Sequence, residues 1–116
     1  MSDKNTTLAD LKTAMQAFVD ERDWSQFHNP KNLSMAIAIE AAELMEHFQW
    51  LTPQAAASVA DSPVELQQIR EELADILCFA LSFANALNID IATAVREKMV
   101  KNAAKYPAEK FRGRFK

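Results

Sequence analysis

Four carboxylates in this sequence stand where together they could hold a cation. Glu40 and Glu43 are three residues apart in one helix-like segment, and Glu72 and Asp75 repeat that spacing in another. Residues three apart on an α-helix share a face, so each pair forms one acidic patch. If the two helices pack antiparallel, all four carboxylates can converge on one point. Two like charges about 4 Å apart repel by about 4 kcal/mol at an effective dielectric near 20, so this convergence requires a counter-charge.

An all-oxygen ligand set of this kind suits Mg²⁺, which usually pairs a few carboxylates with substrate phosphates. The spacing alone leaves another interpretation open, because glutamates three residues apart also occur on solvated helix surfaces. Glu46 and Glu71 fall off the shared face and are expected to be solvated or to support the site from outside. A di-iron bundle is disfavoured because it uses Glu-x-x-His pairs, whereas His47 stands four residues after Glu43.

The elements that must position these groups are predicted to be helices in a single domain, 1–116. The 116 residues include one glycine, 49% are hydrophobic and 25% are charged. Such a composition, with few β-branched runs, favours an all-α bundle of four to five helices. Capping residues directly before prolines mark helix starts, and a tyrosine before a proline marks a helix end. These signals are Asn29-Pro30, Thr52-Pro53, Ser62-Pro63 and Tyr106-Pro107. The predicted helices span about 7–23, 31–50, 64–87 and 90–106, with a short helical turn at 53–60.

The second and third predicted helices are apolar nearly all round over 33–39 and 76–87. A helix of that kind must be covered on every side, which four helices in so short a chain can hardly provide. The sequence therefore predicts a homo-oligomer whose packing completes the core.

Charge and hydropathy exclude several other classes of protein. A formal net charge of −3 gives no general attraction to nucleic acid, and the longest apolar stretch, 76–87, is too short to span a bilayer. The single cysteine, Cys78, has no partner for a disulfide within the chain and is expected in the core. With a polar beginning that shows no targeting signal, the expected setting is cytoplasmic, without nucleic-acid or membrane partners.

At this point the chain resembles a known family, the all-α nucleoside triphosphate pyrophosphohydrolases of the MazG-like group, and within it the dCTP pyrophosphatase branch. The paired E-x-x-E and E-x-x-D motifs lie in EAAELMEHFQW (40–50) and EELADIL (71–77). The segments RDWSQFHNPKNL (22–33) and KMVKNAAKYP (98–107) add to the likeness, and all four run in order from Phe18 to Pro107.

The resemblance implies a Mg²⁺-dependent enzyme that cleaves a nucleoside triphosphate to monophosphate and pyrophosphate. Glu40, Glu43, Glu72 and Asp75 would be its metal ligands and catalytic carboxylates. Glu43 and Glu46 both stay candidates for the group that takes the proton of the attacking water. Family members build dimers that often pair into tetramers, so a dimer of dimers is the expected assembly.

Substrate-binding residues follow partly from the resemblance and partly from spacing. Trp24 and Trp50 occupy the family's aromatic positions, and Phe79 lies one helical turn after Asp75. Lys98, Asn102 and Tyr106 stand at four-residue steps along one side of a helix, and their side chains suit phosphate oxygens. The spacing alone favours a solvated Lys98 and Asn102 and a Tyr106 that caps the core, whereas the resemblance implies that the three bind phosphate. Lys31 and Lys105 are weaker candidates for the same role, and His28 is expected to support the loop before the second helix.

Two positions depart from the close relatives, which carry tyrosine where this chain has Phe79 and histidine where it has Met15. The resemblance therefore leaves the preferred base open. The basic tail, 107–116, is expected to be a mobile end, or else to fold over a neighbouring subunit's triphosphate. An interpretation from another class is a non-catalytic helical interaction module with an acidic docking face, although such a face has no need of Lys98 and Asn102.

Overall fold

The computed structural model describes residues 1–115, and this part of the chain is built from helices and turns without a strand. The α-helices are α1 (Leu8–Glu21), α2 (Pro30–Glu46), α3 (Pro53–Ala57), α4 (Pro63–Leu87), α5 (Ile91–Lys105) and α6 (Ala108–Phe111). A short 3₁₀ helix, Ser58–Asp61, continues α3. The predicted all-α fold is confirmed. The short helical turn predicted at 53–60 is formed by α3 and the 3₁₀ helix, and α6 is an additional short helix.

The capping residues before the prolines begin three helices, as predicted. The side chains of Asn29, Thr52 and Ser62 accept hydrogen bonds from the backbone N–H groups three residues later, and a proline follows each cap directly. An N-cap side chain satisfies a backbone donor that the helix itself leaves unpaired, so the starts of α2, α3 and α4 are fixed locally.

The predicted end of the second helix was wrong by four residues. The helix ends at Glu46, where the N–H of His47 donates to the carbonyls of Leu44 and Met45, and residues 47–50 form turns. In the basic tail, α6 forms and the ring of Phe111 packs on Tyr106 with 5.2 Å between centroids. The last residue of the tail, Lys116, lies outside the described residues.

The centre of the fold is α4, with α1 and α2 packed antiparallel against it. The Lys12 Nζ donates to the Ile89 carbonyl at 2.7 Å, and the Asn85 Nδ2 donates to the Lys12 carbonyl at 2.9 Å, which ties the beginning of α1 to the end of α4. Leu33, Leu81, Ala84 and Val19 are the buried apolar side chains between these three helices.

The fifth helix leaves this core as an arm. Asn88 ends α4 in the left-handed conformation, with φ 53° and ψ 45°, and α5 follows with its axis bent by 100° from that of α4. Asparagine is among the few residues that adopt this conformation readily. Every residue of α5 after Ile91 is exposed, so within residues 1–115 the arm packs against almost nothing.

No single helix among the described residues is long and apolar enough to cross a membrane. The bent pair α4 and α5 meets the length and composition criteria only when both helices are taken together.

The chain is more open than a compact protein of its length. Its accessible surface is 9104 Å², whereas a folded monomer of this size exposes about 6,300 Å². Its radius of gyration is 17.2 Å, against about 13 Å for a compact domain of this length. Large apolar side chains remain exposed on α2 and α4, where the sequence predicted apolar surfaces.

Candidate metal centre

The antiparallel packing of α2 and α4 brings the two acidic motifs together. At one end, the Nε2 atom of His47 lies 3.7 Å from the Oε1 atom of Glu72. At the other end, Pro30 and Ser82 line the same cavity. The acidic pairs of both helices lie between these two points, as the antiparallel expectation required.

Three of the four predicted carboxylates form one cluster. Glu40, Glu43 and Glu72 each contribute a carboxylate oxygen, and these oxygens lie within 4.8 Å of one another. Asp75 is the exposed fourth member and is close enough to raise the pKa of Glu40 by charge repulsion. The predicted set is therefore gathered at one place, with Glu40 and Glu72 half-buried and Glu43 exposed.

The basic side chain that residues 1–115 place against the cluster is His47, and it leaves other oxygens of the cluster without a partner. The Oε2 atoms of Glu40 and Glu72 are buried and have no hydrogen-bond partner among residues 1–115. Buried polar atoms are normally paired, because an unpaired one loses its hydration without replacement. A divalent cation of the Mg²⁺ type fits this donor set, since it takes carboxylate oxygens as ligands and would satisfy both of these atoms.

The pKa of Glu40 is shifted in the direction expected for a carboxyl group whose negative charge is not compensated. Its pKa is raised to about 7, first by a hydrogen bond with the Glu43 side chain, then by burial, and then by repulsion from Glu43, Asp75 and Glu72. Burial and the Asp75 charge also raise the pKa of the half-buried Cys78 thiol. Negative charge is thus disfavoured at this point of the α2–α4 interface unless a cation offsets it.

Aromatic rings run from the end of α1 to the acidic cluster. The ring of Trp24 lies 6.1 Å from that of His28, which lies 6.3 Å from that of Phe79 on α4. The structure therefore brings the predicted Trp24 and Phe79 into one series of rings with His28 between them, and Phe79 lies one helical turn after Asp75. Trp50, in contrast, follows α2 and is 87% exposed.

The predicted phosphate-binding residues lie elsewhere in the protomer. Asp75 is twelve residues before the end of α4, which is about 18 Å along the helix, and α5 departs from that end at 100°. Lys98 and Asn102 line an open groove of about 450 Å³ on α5, while Tyr106 packs on Phe111. The exposed Lys31 is in the first turn of α2, away from the cluster by about 14 Å of helix.

Two features of the site did not emerge from sequence reasoning. His47 stands against Glu72, although its position one turn after Glu43 was a usable signal. Ser82 and His28 have buried polar atoms without partners among the described residues. No signal in the sequence identifies these two, because their burial depends on the meeting of three separate segments.

A sequence profile of the MazG-like family matches residues 35–116. A solved pyrophosphatase from Archaeoglobus fulgidus superposes with a TM-score of 0.78 at 34% identity, covering 92% of this chain and 98% of that one.

Curated relatives with the name dCTP pyrophosphatase 1 are also similar. The Bos taurus protein is 40% identical over 107 residues, which is 92% of this chain and 63% of the relative. The Homo sapiens protein is 40% identical over 102 residues, 88% of this chain and 60% of the relative. This chain thus spans somewhat less than two thirds of the length of these relatives.

The raised pKa of Glu40 predicts how the stability of the metal-free protein depends on pH. A carboxyl whose pKa is higher in the folded than in the unfolded state stabilises the fold at low pH, and this stabilisation is lost as the pH rises through 7. Glu40→Gln is uncharged throughout, so its melting temperature should match that of the natural protein near pH 5 and exceed it near pH 8. Thermal unfolding in EDTA at both pH values measures the difference.

Glu71→Gln removes the same charge from an exposed position beside the cluster, where the side chain accepts a hydrogen bond from Gln67. This control should follow the natural protein at both pH values. A Glu40→Gln advantage of equal size at pH 5 and pH 8 would show that repulsion at Glu40 is not its source.

Proposed function

This chain belongs to the MazG-like family, and from that premise we propose that it hydrolyses deoxynucleoside triphosphates, dCTP among them, to monophosphate and pyrophosphate with Mg²⁺. The observation that carries the proposal is the cluster of Glu40, Glu43 and Glu72, two of which have a buried carboxylate oxygen without a partner among residues 1–115. The names of the curated relatives and of the solved Archaeoglobus fulgidus protein support the same reaction class.

In this proposal Glu40, Glu43, Glu72 and Asp75 hold Mg²⁺ between α2 and α4. The ion supplies charge neutralisation at the triphosphate oxygens when it is bound. Glu43 is the exposed member of the triad and can accept a proton from water that approaches from solvent. Glu46, also exposed and the last residue of α2, is the second candidate for this role.

A docking module with a merely acidic face would keep its carboxylates in water. Glu40 and Glu72 each have an oxygen buried from solvent, which weakens electrostatic recognition of a basic partner and favours a bound cation. The enzyme is therefore the preferred interpretation, acting on nucleotides in the cytoplasm and without nucleic-acid or membrane partners.

The base is proposed to stack against Trp24 and Phe79, whose rings lie on either side of His28. Aromatic faces suit this role because stacking on a base contributes about 1–3 kcal/mol. Trp50 is 87% exposed in the protomer, so its contribution requires a neighbouring chain or the nucleotide itself to cover it.

We place the protein in a homo-oligomer, a dimer or a dimer of dimers, because the protomer leaves an apolar surface open. On α4, Leu66, Leu73 and Leu77 recur at seven- and four-residue steps, and on α2 Met35 and Ile39 are four apart. Each of these side chains is at least 36% exposed. Such stripes favour association, and packing α2 and α4 against their symmetry copies would bury them.

In the proposed assembly, a neighbouring protomer also supplies the phosphate-binding groups that lie far from the acidic cluster of their own chain. Lys98 and Asn102 stand on the α5 arm, which is bent away from its own acidic cluster. We therefore expect the arm of a neighbouring protomer to bring these residues, and Tyr106 at its end, to the triphosphate. Lys31, in the first turn of α2, stays a weaker candidate for phosphate binding.

Removing one metal ligand should abolish the reaction without unfolding the protein. Asp75→Asn is expected to lower kcat/KM for dCTP by at least about 100-fold, because ligand loss costs more than the 10–100-fold typical of groups that only support a ligand. Release of pyrophosphate, measured apart from orthophosphate, is the readout, and Glu71→Gln should retain full activity. Near-normal turnover by Asp75→Asn at moderate Mg²⁺ would contradict the four-ligand site.

The assembly should make unfolding depend on protein concentration. Association stabilises only the folded chain, so the melting temperature should rise as the concentration increases. Ile39→Lys should abolish this rise, since it places a charge on the apolar stripe, whereas Gln67→Lys on the polar side of α4 should retain it. A natural protein that scatters light as a monomer at micromolar concentration would refute the proposed assembly.

Complementation tests whether the arm acts on a neighbouring site. Asp75→Asn and Lys98→Ala should each be inactive alone, because one lacks a metal ligand and the other lacks a phosphate contact. Mixed oligomers prepared by refolding both together should recover activity, up to about a quarter of the natural level for random dimers. Equal inactivity of mixed and separate preparations would mean that Lys98 serves its own protomer.

A further inference from the structure

A polar cavity, separate from the metal centre, lies beside the aromatic rings, between α1, the loop before α2, and α4. It has a volume of about 370 Å³. Five of its lining residues carry polar side chains: Gln16, Ser25, His28, Ser82 and Asn85. The cavity contains none of the carboxylates of the metal centre.

Three of these polar side chains already have partners inside the protein. Gln16 donates to the Asp20 carboxylate at 2.9 Å, Ser25 bonds to the same carboxylate at 3.4 Å, and Asn85 donates to the Lys12 carbonyl. These hydrogen bonds hold the wall of the cavity together.

The other two polar side chains, Ser82 and His28, each have a buried atom without a hydrogen-bond partner among residues 1–115. Ser82 is only 6% exposed, and its Oγ atom is buried without a hydrogen-bond partner. The Nδ1 atom of His28 is likewise buried and unpaired. Unpaired buried polar atoms are rare in folded proteins, and two that line one cavity indicate a bound group that satisfies both.

The position of Ser82 relates this cavity to the metal centre. Asp75, Phe79 and Ser82 lie at steps of four and three residues, so they share one face of α4. Ser82 is seven residues beyond Asp75, which is about 10 Å along the helix. A nucleotide whose triphosphate is held at the metal centre, and whose base stacks on Phe79, would extend in this direction.

The positions of the aromatic rings limit which part of a bound nucleotide could reach the cavity. The His28 ring lies between the rings of Trp24 and Phe79, at 6.1 Å and 6.3 Å. His28 also lines the cavity together with Ser82, so a base that stacks on these aromatic faces could direct its polar edge toward the His28 Nδ1 and the Ser82 Oγ.

We infer that Ser82 and His28 are specificity-determining residues that read the edge of the nucleobase in this cavity; this inference rests on the proposed nucleotide hydrolysis. The Ser82 hydroxyl can donate and accept, and a neutral imidazole presents either a donor or an acceptor at Nδ1. Together they match a pyrimidine edge, where a ring nitrogen stands next to an exocyclic amino or carbonyl group. Phe79 then supplies the stacking surface and leaves the polar recognition to these two residues.

The test separates base recognition from metal and phosphate binding by using two probes. Calorimetry measures the affinity for deoxycytidine, which has no phosphate, and for inorganic tripolyphosphate with Mg²⁺. Ser82→Ala and His28→Leu should each weaken deoxycytidine binding about tenfold and leave tripolyphosphate binding unchanged. Ser82→Thr, which keeps the hydroxyl, should restore the affinity for deoxycytidine.

Ser34→Ala is the matched control, because the Ser34 hydroxyl donates to the Lys31 carbonyl on the exposed part of α2. It should change neither affinity. Ser82→Ala should fold normally by circular dichroism, since it removes an unpaired buried atom.

Deoxycytidine affinity that is unchanged in both cavity variants, or lowered together with that for tripolyphosphate, would overturn the inference. Absence of deoxycytidine binding to the natural protein would overturn it as well. A natural protein that binds deoxycytidine but releases no pyrophosphate from any deoxynucleoside triphosphate would instead count against the proposed hydrolysis, and the binding of the variants would still decide the role of Ser82.

Discussion

Repulsion between carboxylates at the interface of α2 and α4 is the constraint on which the rest of this structure depends. Glu40, Glu43 and Glu72 are held within 4.8 Å of one another by two helices that pack through buried apolar residues such as Leu33 and Leu81. The helices cannot separate the charges without giving up that packing. The protein therefore carries a cluster that protonation or a cation relieves. The pKa of Glu40 is raised accordingly, first by its hydrogen bond with Glu43, then by burial, and then by repulsion from the neighbouring carboxylates.

The other parts of the proposed site lie at increasing distances from that cluster. The rings of Trp24, His28 and Phe79 form one series, and the polar cavity with Ser82 lies about one nucleoside length further along α4. The α5 arm departs at 100° and exposes Lys98 and Asn102 to whatever lies beside the protomer. A surface of 9104 Å² on so short a chain is consistent with a protomer whose core and site are both completed by a copy of itself.

Much of this arrangement could be predicted because its signals are local. Caps such as Asn29 and Ser62 before prolines fixed the helix starts to within a residue, and three-residue spacing placed each acidic pair on one face. The end of α2 could not be predicted, because residues 47–50 contain no glycine or proline and only the tertiary fold turns them. The tail is basic and contains Gly113, the single glycine of the sequence. This composition gave no indication of the short helix α6, which packs Phe111 on Tyr106. The role of Ser82 could not be predicted for a different reason. A serine in an apolar helix is buried in a polar cavity only because residues of α1 and of the loop before α2 enclose it. The roles assigned to individual site residues remain predictions.

If a divalent cation stabilises the carboxylate cluster, the melting temperature at pH 8 should depend on the Mg²⁺ concentration. At this pH Glu40 is ionised, so repulsion is greatest and relief by a cation should be largest. The natural protein should melt at higher temperatures as Mg²⁺ is added at constant ionic strength, while Asp75→Asn should respond much less and Glu71→Gln should respond fully. Equal responses of the natural protein and Asp75→Asn, or no response by either, would contradict a metal centre between α2 and α4.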